Sequence, residues 1–344
     1  MIEVSVIIPV YNAEKHIERA VSSALQFDIV KELILIEDGS KDESNSVCNK
    51  LQKSDIRIHI HRHPKNRNLG AGASRNLGIQ KSTYEYITFL DADDYYLPNR
   101  FDAEIKYTKE GIVFDGVFGA LGFHYYDEKL KIKSQETFGK RELTTVNSSS
   151  NLDRVFEGLL GINKKWKGYF HINTLTIKKE SLNDLTYYFN PNLRLHQDTE
   201  FILRYSYYSN LKPGIIDEPI GMRGVHESNR ITSKDVGIES RLKLWESLLK
   251  WSKKNDISLE AKNKIHAEFK YYDFFSRNSK VNIIKLLNFI CSDKVLFFND
   301  RYLRMVAEKT HKSLKALKLL ILLKEIYVNV FMKNRKKKYS IYVN

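Results

Sequence analysis

Residues 85–98 read EYITFLDADDYYLP. The apolar run from Tyr86 to Leu90 stops at three carboxylates within four positions, Asp91, Asp93 and Asp94. A short run this continuously apolar is the pattern of a strand buried on both faces. Like charges this close repel, so something of opposite charge is expected beside them. Working back toward the N-terminus, Val4–Ile8, Leu33–Ile36 and Ile56–Ile60 read as three more strands. Between them, Ile17, Ala20, Val21, Ala24 and Leu25 recur at helical spacing. The segments around Val47, Cys48 and Leu51 and from Ala71 to Gln80 also read as helices. Buried strands alternating with amphipathic helices predict an α/β chain with a mostly parallel sheet covered on both faces. Such sheets bind ligands outside the carboxyl ends of their strands. Three of those ends are polar: Pro9-Val10-Tyr11-Asn12, Glu37-Asp38-Gly39-Ser40 and the Asp91–Asp94 cluster. They are expected to converge on one crevice.

Composition bounds the rest. At 344 residues the chain has room for one large domain or two modest ones, and 42% hydrophobic residues suffice for a core. Cys48 and Cys291 are far apart and give neither a metal spacing nor a disulfide framework, which suits a reducing compartment. The first residues carry no signal-peptide pattern, and no apolar stretch approaches the ~20 residues of a membrane span. A cytoplasmic chain is expected. The net charge of +14 is uneven: 25 Lys/Arg and 11 Asp/Glu follow from Lys234 onward, and the remainder balances 31 against 31. From Ile112 the pattern becomes irregular and aromatic, with a strand expected over 173–179 and a helix over 198–209. Beyond Ile238 it reads helical to about residue 333. The expected division is a first domain over 1–232, in halves 1–110 and 111–232, and a basic helical region over 233–344.

Several constellations could carry chemistry. In an extended segment Asp91 and Asp93 would face the same side, and two carboxylates there suit Mg²⁺ or Mn²⁺. Asp94 is equally suited to capping a helix begun at Pro98. The stretch NLGAGASRNLG, 68–78, approaches a dinucleotide fingerprint but places Arg75 at the third glycine and does not follow the first strand. Arg75 could meet a phosphate or a base edge, or be a surface arginine. Asp38 suits either a nucleotide contact or a cap for the Gly39-Ser40 turn. Tyr11 suits either packing or stacking. In HQDTEF, Asp198 and Glu200 open a helix, as caps or as a general base. MRGVHESNRIT offers Arg223 and His226.

Taken together these segments resemble the family 2 glycosyltransferases, which have the GT-A fold. VSVIIPVYNAEKHIERAVSSALQ, ELILIEDGSKDES, NLGAGASRNLGI and YITFLDADDYYLP occur in that family's order, the last resembling its Asp-X-Asp segment. HQDTEF resembles the later acidic motif with Gln197 in place of a glutamate, and RGVHESNRIT its Arg/His segment. The resemblance implies a GT-A catalytic domain followed by a helical C-terminal region. It implies a nucleotide-sugar site lined by Pro9, Tyr11, Asn12, Asp38, Arg75 and Asp91. It further implies Mn²⁺ or Mg²⁺ held by Asp93 and Asp91 with His226 nearby, and Asp198 as catalytic base. The expected activity is inverting transfer of a hexosyl or N-acetylhexosaminyl group from a nucleotide diphosphate sugar, UDP-sugar foremost. The acceptor would be a hydroxyl of a glycan or lipid-linked molecule in surface polysaccharide or glycoconjugate synthesis. Bound metal would then be what offsets the crowded carboxylates.

Two other classes compete. A sugar-1-phosphate nucleotidyltransferase would carry a Gly-rich basic loop where Pro9-Val10-Tyr11-Asn12 stands. A nucleic-acid-binding protein would use the basic last third, but no recognised module is present and nucleic acid is not an expected partner. Trp166, Tyr169 and His171 are candidate acceptor contacts, since aromatic faces suit sugar rings as well as cores. Residues 309–338 combine a leucine-rich run with ten Lys/Arg and one acid, Glu325. That pattern suits either the anionic inner face of a membrane or packing on protein, a second copy of the chain included.

Overall fold

The structure, a computed structural model, describes residues 2–277 except 139–141, 148–153, 164 and 228–236. The chain divides into two compact units after Leu248. The boundary expected at 232, Cys291 and the basic stretch 309–338 lie outside the described residues.

The strands are β1 Val4–Val10, β2 Val30–Glu37, β3 Ile58–Arg62, β4 Tyr86–Phe89, β5 Tyr95–Tyr96, β6 Gly116–Phe118, β7 Ala120–Tyr125, β8 Leu143–Thr144, β9 Leu175–Lys178, β10 Leu211–Pro213 and β11 Pro219–Val225. The helices are α1 Ile17–Leu25, α2 Ser44–Ser54, α3 Ala71–Lys81, α4 Asp102–Lys109, α5 Glu128–Phe138, α6 Val155–Leu159, α7 Gln197–Tyr208, α8 Ile238–Ser252 and α9 Leu259–Arg277. The main sheet has the order β10-β6-β9-β4-β1-β2-β3. β4, β1, β2 and β3 are mutually parallel, and β9 runs antiparallel between β4 and β6. A second sheet, β5-β11-β7-β8, forms beside it. The parallel half follows the expected βα alternation. The antiparallel extension, α5 and all of the second sheet but β5 fall beyond Ile112, where the pattern was irregular.

Alternation along β1 divides the core into two layers. Ile7 joins Ile34, Ile36 and Phe89 against Ile79 of α3 and Phe201 of α7. Val6 and Ile8 join Leu33 and Leu35 against Ile17 and Val21 of α1 and Cys48 of α2. Both faces are thus covered, and each such buried aliphatic contributes ~1.5–3 kcal/mol. Against Ile7, α3 can pack this closely only because residue 78 is glycine: a Cβ there would lie 2.3 Å from Ile7 Cγ2. α4 begins at Asp102, later than Pro98 suggested. Its anchor is Arg100, fully buried, which donates to Glu104 Oε1 at 3.0 Å and to Thr88 Oγ1 at 2.7 Å. This fixes the chain leaving the acidic turn onto β4.

Candidate active site

β1 leads through α1 to β2 on one side, and β3 returns through α3 to β4 on the other. That reversal opens a crevice at the carboxyl ends of β1, β2 and β4.

One wall is stitched from two loops. Asn12, in the left-handed region at φ 52°, accepts from the Lys41 amide at 2.8 Å through Oδ1 and donates its own amide to Ser40 Oγ at 3.1 Å. Its neighbours Ala13 and Glu14 donate backbone N–H groups to Ser44 Oγ at 2.8 Å and Asp42 Oδ2 at 3.1 Å. Glu14 Oε2 accepts from the Glu43 amide at 2.9 Å. Pro9 is half-buried in β1 beside Ile36, and Tyr11 stands out from the wall, 39% exposed.

Asp38, just past β2, is buried. Its two oxygens accept from the Leu69 and Gly70 amides at 2.7 and 2.8 Å, and His63 Nε2 lies 3.6 Å away. Burial pushes the carboxyl above its usual value, against the pull of those two amides. Asp38 therefore holds the 68–70 turn that opens α3, and so sets Arg75 one turn later.

The 91–94 segment is a turn, closed by the Asp94 amide donating to Asp91 O at 3.0 Å, and not the extended stretch expected. Its three carboxylates consequently find three different partners. Asp91 Oδ1 takes the buried Arg75 Nη2 at 2.5 Å. Burial opposes the Asp91 charge, yet Arg75 first, and Arg223 with it, hold its carboxyl below the ordinary range. Asp93 Oδ2 meets His226 Nε2 at 3.0 Å. The His226 ring stacks on His16 with centroids 4.6 Å apart, and Tyr126 Oη lies 3.2 Å from His16 Nδ1. Arg19 donates to Tyr126 Oη and, at 3.4 Å, to Asp93 O. Asp94 is buried and caps no helix. It accepts from the Gly224 amide at 2.9 Å and from Asn173 Nδ2 at 2.5 Å. Burial, then Asp93 and Asp91, push its carboxyl well above the usual range. Gly224 is required here, because a Cβ would lie 2.2 Å from Asp93 O.

The far side is built by the entries to β9 and α7. His171 takes the amide of Asn173 on Nδ1 at 3.4 Å, and its Nε2 lies 3.9 Å from Asp198 Oδ2. Asp198 sits half-buried in the first turn of α7, behind His196 at φ 60°. Arg194 ties this entry to the 68–70 turn through Asn68 Oδ1 at 3.1 Å. Asp91, Asp94 and His171 each bring one ligand atom within 4.8 Å of the others, the one such metal-compatible group among the described residues. Glu200 is not a rival base. It is fully buried, bound by Arg204 at 2.9 and 2.7 Å, and accepts from Tyr187 at 2.7 Å and Ser247 at 2.8 Å.

Of the expected residues, Arg75 meets Asp91, Asp93 meets His226, Asp198 lies beside His171, and Asp38 holds the turn ahead of Arg75. Trp166 is a core residue, 5% exposed, while Tyr169 is open. His16, Arg19 and Tyr126 were not singled out from the sequence. They belong to no periodic pattern and are 110 residues apart at the widest pair.

A doubly wound nucleotide-type sheet with an acidic turn after β4 and a second small sheet is the GT-A arrangement. The Glycosyl transferase family 2 model matches residues 5–184, and the chain belongs to that family. The match takes in Asp38, Arg75, the acidic turn and His171, whereas Asp198 and His226 lie beyond it. Family membership decides for glycosyl transfer over nucleotidyl transfer. An uncharacterized glycosyltransferase of Haemophilus influenzae is 30% identical over 203 residues, 58% of this chain and 70% of that one. The GalNAc(5)-diNAcBac-PP-undecaprenol beta-1,3-glucosyltransferase of Campylobacter jejuni is 27% identical over 204 residues, 57% of this chain and 65% of that protein. Among solved structures, S. aureus TarS 1–349 in complex with UDP-GlcNAc superposes with a TM-score of 0.59 at 19% identity, covering 98% of this chain and 92% of that one. That likeness is one of fold.

Proposed function

We propose that this glycosyltransferase moves a sugar, with inversion, from a UDP-sugar to a hydroxyl of a glycan or lipid-linked acceptor of surface polysaccharide or glycoconjugate synthesis. What supports the reading is His171, whose Nε2 lies 3.9 Å from Asp198 Oδ2 and which shares a cluster within 4.8 Å with Asp91 and Asp94. A single displacement needs a base on one side of the sugar and charge stabilisation on the other. The Campylobacter relative, whose name specifies an undecaprenol-linked acceptor, supports the acceptor class.

In this reading Tyr11, Asn12, Asp38 and Arg75, with Pro9 behind them, receive the nucleotide. Asp91, Asp93 and His226 hold Mn²⁺ or Mg²⁺. Carboxylates and an imidazole are suitable donors, and the Asp93–His226 contact puts one of each 3.0 Å apart and partly open. When bound, the cation supplies Lewis-acid stabilisation of the departing diphosphate. Asp94, buried with both oxygens engaged, is a poorer ligand and instead ties the turn to β11 and Asn173. Asp198 takes the acceptor proton. The test is a panel of nucleotide sugars assayed for hydrolysis and transfer with Mn²⁺ and with EDTA. Release of nucleoside diphosphate that EDTA stops supports the reading, and turnover unaffected by EDTA removes the metal from it.

No described helix is long and apolar enough to cross a membrane. The sequence pattern of 309–338 supports peripheral attachment to an anionic inner membrane face, near a lipid-linked acceptor.

A further inference from the structure

One side chain lies near both the proposed base and the acidic turn: His171 is 3.9 Å from Asp198 and clusters within 4.8 Å with Asp91 and Asp94. His171 lies just ahead of β9, 11% exposed, with its ring nitrogens in different surroundings. Nδ1 faces the Asn173 amide at 3.4 Å and accepts from it. An imidazole accepting at Nδ1 carries its proton on Nε2 when neutral. Nε2–H therefore points into the crevice as a donor, toward Asp198 Oδ2 at 3.9 Å.

That separation is too long for a hydrogen bond. It is the right length for a shared partner, because one oxygen can stand ~2.8 Å from both atoms at the third corner of a triangle. An oxygen at that corner would accept from Nε2–H and donate to Asp198. A hydroxyl or a water can do both at once. Because Nδ1 accepts from the Asn173 amide, the ring is the neutral Nε2–H tautomer and offers that proton as a donor.

We propose that His171 is the acceptor-orienting residue, its Nε2–H holding the attacking oxygen against Asp198. This rests on the function proposed above. In the step, the acceptor oxygen forms its bond to the anomeric carbon as that carbon's bond to the diphosphate oxygen breaks. The nucleoside diphosphate leaves with the electron pair, the acceptor proton passes to Asp198, and His171 keeps its own proton. Its work is orientation, for which a misplacement of ~1 Å costs ~100-fold.

The test uses the full chain and the UDP-sugar it hydrolyses best, with water as the acceptor, in His171→Gln, His171→Asn and His171→Ala. The glutamine amide nitrogen falls near the position of Nε2, and the asparagine amide near Nδ1. Hydrolysis is expected to fall about 100-fold in Asn and Ala and to recover about tenfold in Gln. Calorimetric affinities for Mn²⁺ and for UDP, and the melting temperature, are expected to stay near wild type in all three. Equal losses in Gln and Asn would overturn the assignment. So would a loss of Mn²⁺ affinity, which would make His171 a metal ligand with Asp91 and Asp94. A wild-type chain that turns over no nucleotide sugar would remove the proposed function and this inference together, whereas an active wild type with a flat variant series removes this inference alone.

Discussion

At the scale of single residues, the acidic turn gives each carboxylate a separate task. Asp91 is neutralised by Arg75, Asp94 ties three segments together, and Asp93 is left facing His226. Asp93→Ala is accordingly expected to abolish Mn²⁺-dependent nucleotide binding while leaving the melting temperature of the metal-free protein unchanged or raised. Titration calorimetry with UDP at fixed Mn²⁺ checks it, and near-normal affinity would count against the assignment. Asp198→Asn should keep that affinity and lose ~10²–10⁴ in kcat, since a base acts on the acceptor proton alone. If affinity and rate collapse together, Asp198 is part of the nucleotide site. The identity of these residues could be read from the sequence because charge interrupting an apolar run is visible locally. Their division of labour could not. It depends on a turn closed by one backbone hydrogen bond and on His171, His226 and Gly224, which reach the turn from far along the chain.

At the scale of elements, α7 has two faces with different jobs. Its first turn carries Asp198 beside His171, and its buried side holds the Glu200–Arg204 pair. Arg204 also donates to the carbonyl of Tyr187 at 2.9 Å and to that of Tyr188. Removing one partner of such a pair strands the other, at a cost of about 3–5 kcal/mol. Glu200→Ala should therefore lower the urea midpoint sharply, and kcat of the folded fraction should change far less than in Asp198→Asn. The strands and helices of the parallel half were legible because a strand buried on both faces and a 3.6-residue stripe are strong local signals. The second sheet was not. β5 and β8 have two residues each, and their pairing with β11 and β7 is set by tertiary contact.

At the scale of the whole molecule, charge is partitioned along the chain: the first 233 residues are balanced, and the excess lies beyond. On the proposed function, the balanced region would serve donor and acceptor and the basic region a separate, anionic surface. The 344-residue chain is expected to float with anionic liposomes at low salt, to float less as salt rises, and to lose most of this when it is cut after Phe331. Each basic group near such a surface contributes about 1 kcal/mol. Equal recovery of both chains in the unbound fraction would leave catalysis unattached to any membrane.

The stitched wall of the crevice has a kinetic consequence. Five hydrogen bonds join residues 12–14 to residues 40–44 before any ligand arrives. The ordering entropy of those loops is spent in folding and is not charged to binding. UDP should meet a surface that has no slow rearrangement to make on this side. Stopped-flow mixing should give a single exponential whose rate climbs linearly with UDP concentration, and Asn12→Ala should bend that line toward a plateau as loop closure becomes the slow step.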